Sequence, residues 1–172
     1  GPFYTSGTTG KPKEIWLNPD DEKRITIQGI KSYSMVFRKN DRILNCFPKP
    51  PAVSGYMSNL GLIVGKYNFQ NLPAQEIKEN PKMFIEALKK FNPTAFMTLT
   101  TFAYRLPLLF SSLNFEKKFL TLQRALVSAE PSTISKRKTI SDELNVDVYD
   151  LYASSENSVI ACEVKPLTDE HR

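Results

Sequence analysis

A strand–helix–strand succession in the second half of the chain decides the predicted fold. Residues 125–151 read ALVSAEPSTISKRKTISDELNVDVYDL. Residues 125–128 and 146–151 are short apolar runs typical of buried strands, and residues 132–144 between them favour a helix. Two strands connected through a helix are typically parallel neighbours in one sheet.

The same alternation runs through the rest of the chain. Further strands are predicted at residues 14–17, 42–47, 95–99 and 159–163, and further helices at residues 22–38, 55–66 and 101–111. Another helix begins at Pro81, with Asn80 as its N-cap. The sequence therefore predicts one α/β domain over residues 1–172, with a mostly parallel sheet flanked by helices on both faces. In such a sheet, ligands bind beyond the carboxyl ends of the strands.

Composition and charge narrow the class of ligand. The chain of 172 residues is 41% hydrophobic and carries a formal net charge of +5. Acidic residues are interleaved with the basic ones, so a small anionic ligand such as a nucleotide is favoured over a nucleic acid, which is the least supported alternative. No apolar run reaches the roughly 20 residues of a membrane span. We therefore expect a cytoplasmic protein that binds no membrane.

Residues 5–11, which read TSGTTGK, are rich in glycine and hydroxyl side chains and are the strongest candidate for a phosphate site. Glycines let backbone N–H groups approach an anion closely, hydroxyls donate further hydrogen bonds, and a lysine adds a positive charge. The segment is not a Walker A loop, because only two residues separate Gly7 from Gly10 and Pro12 stands where a magnesium-binding hydroxyl belongs. A hairpin without a ligand is the alternative. The candidate phosphate-binding residues are Thr5, Ser6, Gly7, Thr8, Thr9, Gly10 and Lys11.

Two further motifs each follow a predicted strand. The first is Ser128-Ala129-Glu130-Pro131, and the second, at residues 150–156, reads DLYASSE. In the second motif the aromatic ring suits a purine, and the glutamate is a hard ligand that suits Mg²⁺. Taken singly, the first motif is better explained as a strand-to-helix turn and the second as a polar loop.

Together the three motifs resemble the adenylate-forming superfamily, which includes acyl- and aryl-CoA ligases, luciferases and peptide-synthetase adenylation domains. The resemblance runs from Tyr4 to about Glu163 in family order, and the Ala-Glu-Pro triplet is similar to the phenylacetate-CoA ligase branch. It implies that the first loop closes over the β- and γ-phosphates of ATP. It also implies an adenine and AMP site made of Ser128, Ala129, Glu130, Pro131, Tyr152, Ala153 and Ser155.

The resemblance also implies individual roles. Tyr152 would stack on adenine, Ser155 would hydrogen-bond the α-phosphate, and Glu156 would bind Mg²⁺. Ala153 departs from the family pattern, which has glycine there, and its methyl group would either crowd the adenine or force a different backbone angle. Weaker similarities place two further segments beside the acyl pocket and one along a second pocket wall, namely Phe47-Pro48, Ser54-Gly55 and residues 98–101.

The implied parent enzyme is an ATP-dependent acid–thiol ligase. ATP and a small carboxylic acid form an acyl-AMP, and the acyl group then passes to a thiol, with coenzyme A as the implied co-substrate. Family enzymes are much longer, so we expect residues 1–172 to be part of the N-terminal domain, without the C-terminal domain that carries the catalytic lysine. No complete catalytic set then lies in the chain, and we expect it to be inactive alone.

The alternative is a stand-alone degenerate paralogue that binds nucleotide or a protein partner without catalysis. In either case, a partial α/β domain exposes apolar surface, so a homo-oligomer is expected.

Overall fold

A six-stranded sheet with mostly parallel strands organises the fold. The computed structural model describes residues 2–4 and 11–166. Its strand order is β4-β3-β5-β6-β7-β8, and the strand pairs are parallel except for the antiparallel pair β7–β8. The predicted fold class is therefore confirmed. The strands of this sheet are β3 Arg42–Asn45, β4 Asn68–Asn71, β5 Ala95–Leu99, β6 Arg124–Ser128, β7 Asp147–Ser154 and β8 Ser158–Cys162.

Helices cover both faces of the sheet. Side chains alternate along β5, so that Phe96 belongs to one core and Met97 to the other. The Met97 face contacts α1 and α2, and the Phe96 face contacts the remaining helices. The helices are α1 Pro19–Val36, α2 Val53–Val64, α3 Ala74–Glu79, α4 Pro81–Phe91, α5 Thr100–Ser112 and α6 Ile134–Leu144. No described helix combines the length and apolarity that a membrane crossing needs.

Helix α1 begins earlier than predicted because a capping box precedes it. The Asn18 side chain accepts a hydrogen bond from the Asp21 N–H (2.9 Å), and the Asp21 carboxylate accepts one from the Asn18 N–H (3.2 Å). Pro19 then occupies the first turn, where its missing N–H costs nothing. These contacts satisfy two of the N–H groups that every helix start leaves without partners.

A short hairpin lies beside the start of α2. Its strands, β1 Phe3–Tyr4 and β2 Glu14–Ile15, pair antiparallel. The Tyr4 N–H donates to the Pro51 carbonyl oxygen (3.2 Å), which attaches the hairpin to the segment before α2. The candidate phosphate residues 5–10 lie outside the described residues.

A buried ion pair connects β3 and β6 at the amino edge of the sheet. One guanidinium nitrogen of Arg124 lies 3.1 Å from both carboxylate oxygens of Asp41, and each side chain is only 5% exposed. The Asp41 carboxylate also accepts hydrogen bonds from the Thr94 hydroxyl (2.7 Å) and the Arg38 N–H (2.7 Å). With its lone pairs occupied in this way, the buried carboxylate is compensated for the loss of water.

Candidate functional site

The carboxyl ends of β6 and β7 meet at one edge of the sheet. Ser128 and Leu151 are register partners there, and the buried Ser128 hydroxyl donates to the Leu151 carbonyl oxygen at 2.6 Å. This bond fixes the two strand ends against each other. The first motif leaves β6 at this point, whereas residues 150–154 of the second motif lie within β7, so the prediction that this motif follows its strand is wrong.

A cleft of about 310 Å³ opens at this edge, and we call it the edge cleft. It brings together five of the seven predicted adenine and AMP residues. Tyr152, whose side chain lies on the cleft wall, is 65% exposed and so offers a free ring face. Asp150 and Ser132 also line the cleft and were not predicted. The complete lining is Ala129, Glu130, Pro131, Ser132, Asp150, Leu151, Tyr152 and Ala153.

Ala129 sets the direction in which the chain leaves β6. Its φ is +67°, in the left-handed region that favours glycine. An alanine in this conformation costs about 1–3 kcal/mol and persists only where surrounding contacts hold it. The turn places Glu130 and Pro131 on the cleft wall rather than along the continuation of the strand.

Glu130 has a structural partner on helix α5, which precedes β6 in the chain. Its carboxylate accepts a hydrogen bond from the Thr101 N–H at 2.6 Å, and its carbonyl oxygen accepts one from the Thr100 hydroxyl at 3.4 Å. Thr101 lies in the first turn of α5, where a negative charge is favourable. Glu130 therefore links the edge cleft to the start of α5.

Asp150 supplies a carboxyl group to the cleft. Burial raises the pKa of Asp150, an effect that the neighbouring Arg137 opposes and that Glu163 reinforces. Arg137 and Glu163 form an ion pair, and the Glu163 carboxylate accepts a hydrogen bond from the Asp150 N–H at 2.9 Å. The backbone at the base of the cleft is thus held by a charged network, and a backbone hydrogen bond from Leu151 also opposes the rise in the pKa of Asp150.

A second cavity, of about 120 Å³, lies between α1, α2 and the sheet, and we call it the inner cavity. It shares Ala129, Leu151 and Ala153 with the edge cleft, so the two spaces adjoin. The other two predicted AMP residues, Ser128 and Ser155, line the inner cavity instead of the edge cleft.

Two residues of the segments expected beside an acyl pocket lie on the wall of the inner cavity. Phe47 and Ser54 line the inner cavity, whereas Pro48 and Gly55 pack behind it. A β-carbon at Gly55 would lie 1.6 Å from the Pro48 carbonyl oxygen, so only glycine permits this approach of α2 to the segment after β3.

Residues 98–101 span the end of β5 and the start of α5. Leu99 and Thr101 line a separate cavity of about 270 Å³, whose wall also includes Glu130. This segment therefore contributes to a pocket, as expected, but not to the inner cavity.

The predicted magnesium and phosphate residues are exposed where the structure describes them. Glu156 lies in the turn between β7 and β8, and both Glu156 and Lys11 are exposed to solvent. Among residues 2–4 and 11–166, no group of three or more His, Cys, Asp or Glu side chains forms a metal-binding cluster. A metal at Glu156 would therefore need ligands from the nucleotide and water, as Mg²⁺ commonly has.

Comparison with known proteins identifies the family. The model of the AMP-binding enzyme family matches residues 3–172. No curated protein sequence matches the chain at a significant level.

Several solved structures share the fold. An open conformation of 2-hydroxyisobutyryl-CoA ligase in complex with 2-HIB-AMP and CoA has a TM-score of 0.76 and 16% identity, over 92% of this chain and 36% of that one. ATP-bound MatB from Rhodopseudomonas palustris has a TM-score of 0.72 and 17% identity, over 94% of this chain and 30% of its own. McyG A-PCP complexed with phenylalanyl-adenylate has a TM-score of 0.71 and 14% identity, over 98% and 27%.

The chain thus spans about a third of the length of the structures that it matches. The family model covers nearly all of the chain, and the sheet, its helices and the shared edge of β6 and β7 agree with it. The chain therefore belongs to the AMP-binding enzymes of the adenylate-forming superfamily.

Proposed function

We propose that this chain contributes the acyl-AMP site of an ATP-dependent acid–thiol ligase, similar to the phenylacetate-CoA ligase branch. The parent enzyme would join a carboxylic acid to AMP and pass the acyl group to a thiol such as coenzyme A. The observation that carries this proposal is the adjoining of the edge cleft and the inner cavity at Ala129, Leu151 and Ala153. An acyl-AMP has two parts that match these two adjoining spaces, because a single phosphate joins its adenosine to its acyl group.

In this proposal the edge cleft binds adenine. The exposed ring of Tyr152 stacks on the base, a contact that suits any purine face. Glu130 and Pro131 form the opposite wall, and the Asp150 carboxylate accepts a hydrogen bond from the exocyclic amine. The base is then held by stacking on one side and by a polar contact at its edge.

With adenine in the edge cleft, the residues that bind the phosphates can be assigned as well. Ser155, on the wall of the inner cavity, donates to the α-phosphate where the acyl group and the nucleotide meet. Residues 5–10 and Lys11 bind the β- and γ-phosphates, and Glu156 binds Mg²⁺ together with phosphate oxygens and water. The position of Tyr4 supports this arrangement, because its N–H donates to the Pro51 carbonyl oxygen just before α2.

The ligands bound in related structures support a ligase rather than a nucleotide-binding module. The 2-hydroxyisobutyryl-CoA ligase structure contains an acyl-AMP and CoA, and the MatB structure contains ATP.

We also propose that these 172 residues bind acyl-AMP but do not complete the reaction. The residues that line the edge cleft and the inner cavity include no lysine, arginine or histidine in the described part of the chain. Neither space therefore offers a preorganised cation to stabilise the negative charge that develops at the α-phosphate during adenylation. Loss of one such stabilising group typically lowers the rate by about 10²–10³-fold.

Self-association and a cytoplasmic location complete the proposal. Several large apolar side chains are more than 60% exposed, including Trp16 (70%), Leu108 (72%) and Phe119 (62%), and such surfaces favour association. Both cysteines are free, which suits a reducing compartment. A monomer in size-exclusion chromatography at micromolar concentration would contradict the association.

Titration calorimetry with ATP and Mg²⁺ tests the proposal. Lys11→Ala removes a charge-assisted hydrogen bond worth about 1.5–3 kcal/mol, so ATP affinity should fall roughly ten- to hundredfold while AMP affinity stays unchanged. Glu156→Ala should weaken ATP binding only when Mg²⁺ is present. The matched controls Lys39→Ala and Glu86→Ala, both at exposed positions away from the cleft, should bind as the unmodified chain does. Absence of ATP and AMP binding to the unmodified chain would refute the proposal.

A further inference from the structure

Two charged residues outside the edge cleft contact Asp150 from behind. Arg137 of α6 and Glu163, which follows β8, form an ion pair, and neither residue lines the cleft. The Glu163 carboxylate accepts a hydrogen bond from the Asp150 N–H at 2.9 Å, and the Glu163 N–H donates to the Asp150 carbonyl oxygen at 3.0 Å. Glu163 therefore contacts both backbone polar groups of Asp150.

The end of β7 needs such an anchor. Side chains two residues apart in a strand share a face, and Asp150 and Tyr152 both line the edge cleft. The pairing of β7 with β6 ends at Leu151, and its pairing with β8 is irregular between Tyr152 and Ala153. The bonds from Glu163 thus fix a part of the strand that the sheet alone holds incompletely.

Stability alone does not account for the Arg137–Glu163 pair. Arg137 is 8% exposed, and its buried Nε has no hydrogen-bond partner among the described residues. A buried charge with an unpaired donor is not fully compensated for lost hydration, and apolar replacements of buried ion pairs are often at least as stable. A role toward Asp150 explains why charged residues occupy these two positions.

The charges beside Asp150 act on it in opposite directions. Burial raises the pKa of the Asp150 carboxyl group, Arg137 lowers it, Glu163 raises it, and a backbone hydrogen bond from Leu151 lowers it. The ionised carboxylate is present above this pKa and is lost as the pH falls through it. Arg137 therefore favours the ionised carboxylate, against the effects of burial and of Glu163.

The other walls around Asp150 add no further cation. In β6 the register partner of Asp150 is the apolar Val127. The Glu130 carboxylate, on the wall of the same cleft, accepts the hydrogen bond from the Thr101 N–H. The residues that line the cleft include no lysine, arginine or histidine in the part of the chain that the structure describes.

We propose that Arg137 and Glu163 are positioning residues of the adenine site, which fix the Asp150 carboxylate so that it selects adenine through the exocyclic amine. An ionised carboxylate accepts a hydrogen bond from an amine and repels a carbonyl oxygen. The pair thereby gives the site a preference for adenine over hypoxanthine, which carries an oxygen in place of the amine. The inference rests on the proposed function, because it assigns the groups that support nucleotide recognition in that same cleft.

Titration calorimetry with AMP and inosine monophosphate (IMP) measures this preference as the ratio of the two affinities. Both nucleotides carry the same ribose phosphate, so its titration cancels in the ratio. At about pH 8 the unmodified chain should bind AMP about ten- to hundredfold more tightly than IMP, because IMP lacks the hydrogen bond to a charged acceptor. The preference should fall as the pH drops and Asp150 takes up a proton, and Asp150→Asn should abolish it.

Two substitutions separate an effect of charge from a loss of stability. Arg137→Gln removes the cation and keeps a donor for Glu163, whereas Glu163→Gln removes the anion and keeps an acceptor for the Asp150 N–H. The titration midpoint of Asp150, followed by the ¹³C signal of its carboxyl group, should rise in Arg137→Gln and fall in Glu163→Gln. The pH at which the AMP preference disappears should move with the midpoint. A loss of stability alone would not shift the two variants in opposite directions.

A third substitution tests the contact to the backbone. Glu163→Ala leaves the Asp150 N–H without its partner and should lower the AMP preference about two- to tenfold even at about pH 8, whereas Glu163→Gln should keep it there. Glu143→Gln is the matched control, because it removes another ion pair of α6, with Lys117, and it should leave the midpoint and the preference unchanged. Circular dichroism confirms that the variants are folded, and the comparison of Glu163→Ala with Glu163→Gln remains decisive if Arg137→Gln does not fold.

The outcomes separate the two claims. If AMP binds, but Arg137→Gln and Glu163→Gln leave the Asp150 midpoint unchanged or shift it in the same direction, the inference is wrong and the nucleotide site stands. Equal AMP preferences of Glu163→Ala and Glu163→Gln would also overturn it. If neither AMP nor IMP binds to the unmodified chain, the proposed function fails and the inference fails with it.

Discussion

Removing the Glu130 carboxylate should destabilise the start of α5. In the structure this carboxylate lies 2.6 Å from the Thr101 N–H, although Glu130 belongs to the turn after β6. The residue at the N-cap position of α5, Leu99, makes no side-chain cap bond. Glu130 thus takes the place that a serine or aspartate usually occupies at a helix start.

The magnitude follows from known costs of helix caps. Loss of a capping hydrogen bond costs about 0.5–2 kcal/mol, and loss of a negative charge in the first turn costs about 0.3–1 kcal/mol more. We expect Glu130→Ala to lower the free energy of unfolding by about 1–2 kcal/mol, because part of the freed N–H is rehydrated. For a chain of 172 residues, each kcal/mol corresponds to about 2–4 °C in Tm, so Tm should fall by about 2–8 °C.

Thermal unfolding followed by circular dichroism at neutral pH measures this effect. Glu130→Gln keeps an acceptor oxygen and loses only the charge, so its Tm should lie between those of the unmodified chain and Glu130→Ala. Glu86→Ala is the control, because Glu86 makes only an exposed ion pair with Lys90 at 3.7 Å, and such pairs contribute little. If Glu130→Ala melts at the same temperature as Glu86→Ala, the contact between the cleft and α5 does not exist in solution.

Three further predictions concern other parts of the molecule. Asp41→Ala leaves a buried arginine without its partner and should cost about 3–5 kcal/mol in urea unfolding; a loss under about 1 kcal/mol would contradict the buried ion pair. Burial, reinforced by nearby carboxylates, raises the pKa of Cys162 from about 9 to about 11, so at pH 8 iodoacetamide should label it about a hundredfold more slowly than an ordinary thiol and faster as the pH rises. Cys46, which is 1% exposed, should stay unlabelled in the folded protein, and labelling of both at the rate of a free thiol would count against the packing. Tyr152→Ala should weaken AMP binding by about 1–3 kcal/mol through lost stacking with little loss of stability, whereas Tyr104→Ala, at another exposed tyrosine, should leave AMP affinity unchanged.

Much of the fold was predictable because buried parallel strands are continuous apolar runs. The strand Ala95–Leu99 has the predicted bounds, and the strands and helices on either side of it differ by only a few residues at each end. Two of the missed elements lack that signal. Strand Asn68–Asn71 lies at the sheet edge and reads NFQN, and helix Ala74–Glu79 has six residues, so neither has enough periodic apolar residues to be distinguished from a loop.

The site was predictable to the extent that strand ends determine it. Neighbouring parallel strands bring their carboxyl ends to one edge, which is why Glu130, just after β6, and Tyr152, beside Leu151 in β7, lie in the same cleft. The sequence could not predict that Tyr33 and Met57 line the inner cavity, because their side chains indicate only a buried helix face. Their contribution depends on how closely α1 and α2 approach each other, which is set by packing rather than by periodicity.

The central claim is that AMP binds at the carboxyl edge of β6 and β7. Amide chemical-shift mapping of the ¹⁵N-labelled chain, titrated with AMP, tests it most directly. The claim predicts that the largest shifts fall on residues 129–132 and 150–155, with no change at Asp41 and Arg124 on the opposite edge of the sheet. Saturable shifts centred anywhere else, or no shifts at millimolar AMP, would contradict it.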